Sequence, residues 1–195
     1  MGHTLEFYWD FSSPFSYLGS TQVEALASRT GATLVWRPML LGAVFKSIGV
    51  ADAPILTWSD AKRMYFFKDL QRWAEHWGVP FRFPSRFPIS SVKPLRAWFA
   101  LPEERRSAFL HAAYRAYWAE DKDISDEATL RTIIGDGADE ILLSCSTQSV
   151  KEALFAATKL AIDAGVFGAP TWVVDGKELF WGQDRIVLVE RALRA

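Results

Sequence analysis

Serine hydroxyls occupy a turn where a redox protein would carry thiols, in the stretch YWDFSSPFSYLG of residues 8–19. An apolar run ends at Asp10, and Pro14 begins a second apolar-periodic stretch, which is how a buried strand passes into a helix. The N–H groups at a helix N-terminus are unpaired and the helix dipole adds partial positive charge, so this turn can stabilise an anion. The hydroxyl of Ser13 can add one more donor; the alternative is that it only caps the helix.

A second motif, GVFGAPTWVV at residues 165–174, places Pro170 at the start of a strand that would otherwise be central. A proline at this position, after the small residues Gly168 and Ala169, is compatible with a cis peptide bond. If the fold brings this segment opposite the N-terminus of the first helix, the two can line one site. The backbone of Ala169 can then pair with an extended, peptide-like ligand.

The third motif is WGQDR at residues 181–185. Asp184 follows Gly182 at the point where the last helix should begin. One interpretation makes Asp184 the N-cap of that helix. The other interpretation is that its carboxylate binds the ammonium group of a ligand.

The apolar periodicity predicts the elements that position these motifs. Strands are expected at residues 4–9, 33–36, 171–174 and 178–181, and an Asp-Gly turn at 175–176 joins the last two as a hairpin. Helices are expected at 16–29, 40–49, 59–78, 95–101, 104–118, 126–134, 149–164 and 184–193, with loops at 53–57 and 79–94. The fold class is therefore α/β: a thioredoxin-like βαβ-αββα domain (residues 1–40 plus 149–195) interrupted by an all-helical insertion (residues 41–148).

Composition narrows the functional classes. The formal net charge of −1 gives no electrostatic case for nucleic acid or an anionic membrane. Cys145 is the only cysteine, which excludes an internal disulfide and a cysteine-built metal site, and the three histidines show no metal-binding spacing. Neither a signal peptide nor a membrane span is recognisable, so a cytoplasmic protein is expected. Nine Trp and fourteen Phe favour a large core, an aromatic-lined pocket, or both.

The sequence resembles the 2-hydroxychromene-2-carboxylate isomerases and the kappa-class glutathione transferases, relatives of the DsbA fold. The motifs that carry this resemblance follow in order along nearly the whole chain: DFSSPFSYL (10–18), RPMLLG (37–42), FRFP (81–84), YWAE (117–120) with DI (123–124), GVFGAPT (165–171) and WGQDR (181–185). The isomerase branch fits better than the transferase branch.

The resemblance implies that glutathione is the cofactor and that Ser13 is the catalytic residue. Redox relatives carry Cys-x-x-Cys in this turn, and Ser13 and Ser16 stand at that spacing. Ser13 matches the serine that hydrogen-bonds the sulfur of bound glutathione and favours its thiolate. The protein would thus hold a nucleophile borrowed from its cofactor.

The resemblance also implies the rest of the glutathione site. Ala169, before a cis-Pro170, would pair through its backbone with the cysteinyl part of glutathione. Gln183 and Asp184 match the positions that take the γ-glutamyl end, with Asp184 at its ammonium group. Lys62 matches a lysine near the glycyl carboxylate; the alternative for Lys62 is a solvated charge on a helix.

The substrate side departs from the family pattern. Relatives often carry Asn where Val50 stands, and an Asn-Ser pair where this chain has Ser90-Ser91. We expect Arg37, Lys46 and Ser91 to bind the substrate, a small aromatic molecule. Its carboxylate could be met by Arg37, Lys46 or Lys62, and the sequence does not choose among them.

The implied reaction is a glutathione-dependent cis–trans isomerisation of 2-hydroxychromene-2-carboxylate in aromatic-hydrocarbon catabolism. A kappa-like transferase, which would consume glutathione, and a non-catalytic glutathione-binding protein stay open as alternatives. A dithiol oxidoreductase is disfavoured because the turn holds no cysteine. The oligomeric state is open, with a homodimer among the alternatives.

Overall fold

The computed structural model describes residues 2–51 and 54–195. The strands over these residues are β1 (Thr4–Trp9), β2 (Thr33–Pro38), β3 (Thr171–Val174) and β4 (Glu178–Trp181). The helices are α1 (Pro14–Thr30), α2 (Leu41–Ser47), α3 (Asp60–Trp77), α4 (Val92–Ala100), α5 (Glu103–Trp118), α6 (Glu127–Ile134), α7 (Ala138–Ser144), α8 (Gln148–Asp163) and α9 (Ile186–Ala192). Short 3-10 turns at Pro54–Thr57 and Gln183–Arg185 precede α3 and α9.

The four strands form one mixed sheet in the order β2-β1-β3-β4. β1 pairs in parallel with β2, as expected for a βαβ unit, and antiparallel with β3. β3 and β4 form the predicted hairpin, in which Asp175 and Gly176 both have positive φ, as a tight hairpin turn requires. This arrangement confirms the predicted thioredoxin-like α/β fold.

β1 is an inner strand of the sheet, and other elements pack on both of its faces. Its odd-numbered residues, Leu5 to Trp9, belong to a large core that continues into the helical insertion. Tyr8 points to the opposite face, where α2 and α8 cover the sheet. The segment that follows β1 therefore emerges between the sheet and the insertion.

Aromatic contacts join the insertion to that segment. The ring of Phe11 packs against Tyr114 of α5, with centroids 5.0 Å apart, and Trp9 packs against Trp98 of α4 at 5.8 Å. The indole N–H of Trp118 donates to the carbonyl oxygen of Phe11 at 2.8 Å. Because one core runs through both parts, the division into residues 1–40 plus 149–195 and 41–148 stays a prediction from the element order.

Several element boundaries differ from the sequence-based expectation. β2 extends to Pro38, and α4 begins at Val92 inside the expected loop 79–94. Pro94 is tolerated in α4 because the N–H groups of a first helical turn have no partner within the helix. The expected loop 53–57 contains the 3-10 turn from Pro54 onward, and Ala53 lies outside the described residues.

α7 is the one helix for which the sequence predicts no element. It has seven residues and no side-chain cap, and it follows Gly137 with φ of 75°. The glycines at 135 and 137 predict a break rather than a helix start. None of the helices in the described ranges has the length and apolar character needed to cross a membrane. Within the same residues, no cluster of His, Cys, Asp and Glu could hold a metal ion.

Candidate active site

The Ser13 turn combines a helix cap with a hydrogen bond to the opposite strand. The hydroxyl oxygen of Ser13 accepts the N–H of Ser16 at 3.1 Å, which caps α1, and its O–H donates to the carbonyl oxygen of Ala169 at 2.9 Å. Pro14 fills the first helical position, as predicted. Within the described residues the N–H of Phe15 donates no hydrogen bond. The turn therefore has one hydroxyl and one free N–H at the positive end of α1.

The Ala169–Pro170 peptide bond is cis and faces the Ser13 turn. The carbonyl of Ala169 is occupied by Ser13, whereas its N–H makes no hydrogen bond within the part of the chain that the structure describes. A close approach between α1 and Pro170 is possible because residue 19 is glycine: a Cβ there would lie 3.2 Å from Phe7 and 3.4 Å from Pro170. The segment predicted from its proline thus lies where a peptide-like ligand would meet both Ala169 and Ser13.

Asp10 is a buried carboxylate beneath this turn, whereas its sequence position indicates only that it ends a strand. It has no solvent exposure, and its two oxygens accept the N–H groups of Ser12 at 2.8 Å and Leu41 at 2.7 Å. Burial raises the pKa of Asp10, while these N–H donors and the hydroxyl of Ser91 act to lower it. The signal available in the sequence was an acidic residue directly after an apolar strand.

Asp10 links the turn to three parts of the insertion. Its side chain holds the first residue of α2, Leu41, and lies against Ser91 at the start of α4. Its backbone carbonyl accepts the hydroxyl of Tyr114 in α5 at 3.0 Å. Ser91, predicted to bind substrate, is itself buried at 3% exposure, so the structure places it under the turn beside Asp10.

Gln183 and Asp184 lie together in the 3-10 turn before α9, but their side chains have different environments. Gln183 is buried, and its Oε1 accepts the indole N–H of Trp77 at 2.8 Å. The Asp184 side chain is 37% exposed, and within the described residues its ion-pair partner is the Arg185 guanidinium, at 3.4 Å. α9 has no side-chain cap, so the interpretation of Asp184 as its N-cap is wrong.

Gly182 explains how the Asp184 carboxylate folds back over the turn. Its φ of 109° lies in the left-handed region, and a Cβ at this position would approach Oδ1 of Asp184 to 2.5 Å. The N–H of Gly182 donates to the carbonyl of Pro170 at 3.0 Å. The turn that carries Asp184 is therefore joined directly to the segment that faces Ser13.

Aromatic residues extend from the Ser13 turn along α3. Phe15 packs edge-on against Phe66 at 5.5 Å, and Phe66 packs against Trp58 at 5.4 Å. We call Phe15, Phe66 and Trp58 the aromatic wall. Lys62 ends this wall, with its Nζ 4.2 Å from the centre of the Trp58 ring. The insertion thus contacts the Ser13 turn through Phe15 and brings Lys62 to the same surface.

The other predicted cationic residues are placed differently. Arg37 forms an ion pair with Glu6, and its Nε donates to that carboxylate at 2.7 Å. Lys46 is exposed in the last turn of α2 and forms no ion pair within the described residues. Since Arg37 already has an acidic partner, the geometry adds no support for its predicted substrate contact, which stays a prediction.

The site residues fit glutathione in three respects. The free N–H of Ala169 can pair with a peptide backbone, as can its carbonyl once Ser13 releases it, and the α1 N-terminus can stabilise an anion such as a thiolate. The exposed carboxylate of Asp184 can meet an ammonium group. Cys145 lies elsewhere, buried after α7, with its Sγ donating to the Ile141 carbonyl at 3.2 Å. Any thiol chemistry at the Ser13 turn must therefore use a bound thiol.

Comparisons with known proteins agree with the observed fold. The family model for the DSBA-like thioredoxin domain matches residues 4–194. A 2-hydroxychromene-2-carboxylate isomerase of Sphingobium xenophagum is 33% identical over 199 residues, covering 99% of each chain. A solved structure of a 2-hydroxychromene-2-carboxylate isomerase superposes with a TM-score of 0.84 at 29% identity, covering 97% of this chain and 94% of the other. Human glutathione S-transferase kappa 1 is 25% identical over 207 residues, covering 97% of this chain and 90% of that protein.

Proposed function

Since the chain belongs to the DSBA-like thioredoxin domain family, and within it to the 2-hydroxychromene-2-carboxylate isomerases, we propose that it is a glutathione-dependent isomerase. Its substrate is 2-hydroxychromene-2-carboxylate or a similar aromatic hemiketal, and its product is the trans-o-hydroxybenzylidenepyruvate. The observation that carries the proposal is the Ser13 hydroxyl, held at the N-terminus of α1 and 2.9 Å from the carbonyl of Ala169.

The proposed role of Ser13 requires an exchange of hydrogen bonds. Glutathione, when held by Ser13, Ala169 and Asp184, would supply a thiolate nucleophile that is regenerated at the end of the reaction, so that it would not be consumed. Ser13 donates to Ala169 in the free protein, and it can donate to a sulfur anion only by releasing that carbonyl. The carbonyl is then free to accept a peptide N–H from the ligand. The exchange keeps every donor and acceptor paired, so its net cost is small.

Other residues orient the two ligands. The Asp184 carboxylate holds the ammonium group of the γ-glutamyl end, and Lys62 holds the glycyl carboxylate. The aromatic wall offers a flat, apolar surface beside Ser13 for the substrate ring, with Phe15 nearest to the turn in sequence. These assignments rest on the contacts of the free protein and on the family match.

The proposal is tested by following the isomerisation of 2-hydroxychromene-2-carboxylate with and without glutathione, while the free thiol is assayed in parallel. We expect turnover only when glutathione is present, with the thiol recovered in full. Loss of one thiol per product molecule would identify a kappa-like transferase instead. Binding of glutathione without turnover of aromatic hemiketals would identify a non-catalytic binding protein.

Asp184→Ala should weaken glutathione binding about 10-fold, equivalent to about 1.5 kcal/mol. This is the lower end of the range for a hydrogen bond to a charged group, since the Asp184 side chain is 37% exposed and water screens it. Isothermal calorimetry of the variant and the wild type measures the change. Equal affinities would show that Asp184 does not contact the ligand.

A further inference from the structure

One hydrogen bond joins the insertion to the turn that carries Asp184. The indole N–H of Trp77, the last residue of α3, donates to Oε1 of Gln183 at 2.8 Å. Gln183 is 2% exposed, and its Nε2 has no hydrogen-bond partner within the described residues. The bond to Trp77 is thus the one hydrogen bond of this side chain in the described part of the molecule.

The chemistry of the pair fixes the orientation of the amide. An indole N–H is a donor only, so the amide must present its oxygen to Trp77 and its NH2 group to the other side. The NH2 group therefore lies on the side away from Trp77, where it is closed to solvent. Gln183 therefore bridges to α3 in this structure, and its predicted contact with the ligand stays a prediction.

Asp184 itself has few restraints. Within the described residues its carboxylate accepts no hydrogen bond, and it forms an ion pair with the Arg185 guanidinium at 3.4 Å. On the preceding side the turn is held at Gly182, whose carbonyl accepts the indole N–H of Trp172 at 2.8 Å. The Trp77–Gln183 bond restrains the residue directly next to Asp184.

We propose that Trp77 is a positioning residue for ligand recognition: through Gln183 it holds the Asp184 carboxylate where an ammonium group of the ligand is bound. The inference rests on the proposed glutathione site and extends it to a residue of the insertion. The C-terminal end of α3 then contributes to the selection of ligands that carry an α-ammonium group at the γ-glutamyl end.

Trp77→Phe tests the inference because it removes the donor and keeps an aromatic ring. The ring of Trp77 stacks on Trp73, with centroids 5.9 Å apart and planes at 24°. Trp73→Phe is the matched control: it is the same change one turn earlier on the same helix, at a residue without a hydrogen bond to Gln183.

The experiment measures the affinities of glutathione and of glutaryl-cysteinyl-glycine, the same tripeptide without the ammonium group. In the wild type we expect the first to bind about 10-fold more tightly. Asp184→Asn should bring this ratio close to one. Trp77→Phe should lower it to about 3-fold, while Trp73→Phe should leave it at the wild-type value.

An unchanged ratio in a folded Trp77→Phe variant would overturn the inference, even if both ligands bind more weakly. A merely structural role weakens the binding of both ligands alike. If Trp77→Phe does not fold, Gln183→Met removes the acceptor of the same bond and carries the same expectation. Absence of glutathione binding to the wild type would overturn the proposed function itself. Wild-type binding with a ratio that Trp77→Phe does not change would overturn only the role of Trp77.

Discussion

Ser13→Ala should lower the isomerisation rate about 100-fold while glutathione affinity changes less than about 3-fold. Loss of one donor to a developing or bound anion costs up to about 1000-fold, and the N–H groups at the α1 terminus remain in the variant. Affinity is nearly unaffected for a structural reason. Ser13 must give up its bond to Ala169 when it turns to the sulfur, so the variant loses a donor that was already paired in the free protein.

Ser13 also caps α1, so its removal has a separate effect on stability. The lost cap should cost about 1 kcal/mol of unfolding free energy, which denaturant titration measures. Ser16→Ala is the matched control, since Ser16 is fully buried and its hydroxyl has no hydrogen-bond partner in the described residues. It should retain wild-type turnover and stability. A Ser13→Ala variant that loses affinity and rate in the same proportion would contradict the assigned role.

Asp10→Ala should destabilise the protein by about 2–6 kcal/mol, because it removes the acceptor of two backbone N–H groups, those of Ser12 and Leu41. Each N–H left without a partner in a buried place costs about 1–3 kcal/mol. Asp10→Asn retains one acceptor oxygen and should cost about half as much. Thermal unfolding should show this as a fall of about 2–4 °C per kcal/mol for a chain of this length. Wild-type stability in Asp10→Ala would show that the carboxylate does not hold the turn to α2.

The pH dependence of stability gives Asp10 a second signature. Burial raises its pKa in the folded protein, so folding favours the protonated form. The stability contributed by such a group is fully present below its unfolded pKa and is lost as the pH rises through the folded pKa. Asn does not titrate, so the wild type should exceed Asp10→Asn by more at about pH 4 than at about pH 7. Other carboxylates titrate alike in both proteins and cancel in the comparison. A difference that grows toward neutral pH would contradict a raised pKa.

Local signals made most of the fold predictable from sequence. The Pro14 start of α1, the Asp-Gly turn between β3 and β4, and the buried run of β1 depend on a few adjacent residues, and all are found in the structure. α7 was missed because its seven residues are too few to show a helical period and because Gly137 precedes it. Its formation depends on packing within the insertion, which no local pattern records.

The site was predicted less completely, for the same reason. Ser13, Ala169 and Asp184 lie in motifs that can be recognised from adjacent residues, and the structure brings these motifs together. The roles of Asp10 and Trp77 depend on partners 31 and 106 positions away in the chain, Leu41 and Gln183 respectively. Such pairs become visible only when the fold is known.

The most direct test of the central claim is a titration of the ultraviolet thiolate absorbance of bound glutathione against pH, in the wild type and in Ser13→Ala. A free thiol has a pKa near 8.5, so little thiolate is present at neutral pH. If the α1 terminus and the Ser13 hydroxyl stabilise the sulfur anion, the midpoint for bound glutathione should lie about one to two pH units below that of the free thiol. In Ser13→Ala the midpoint should move part of the way back toward that of the free thiol. Superimposable curves for the two proteins would show that Ser13 only caps the helix and would contradict the account.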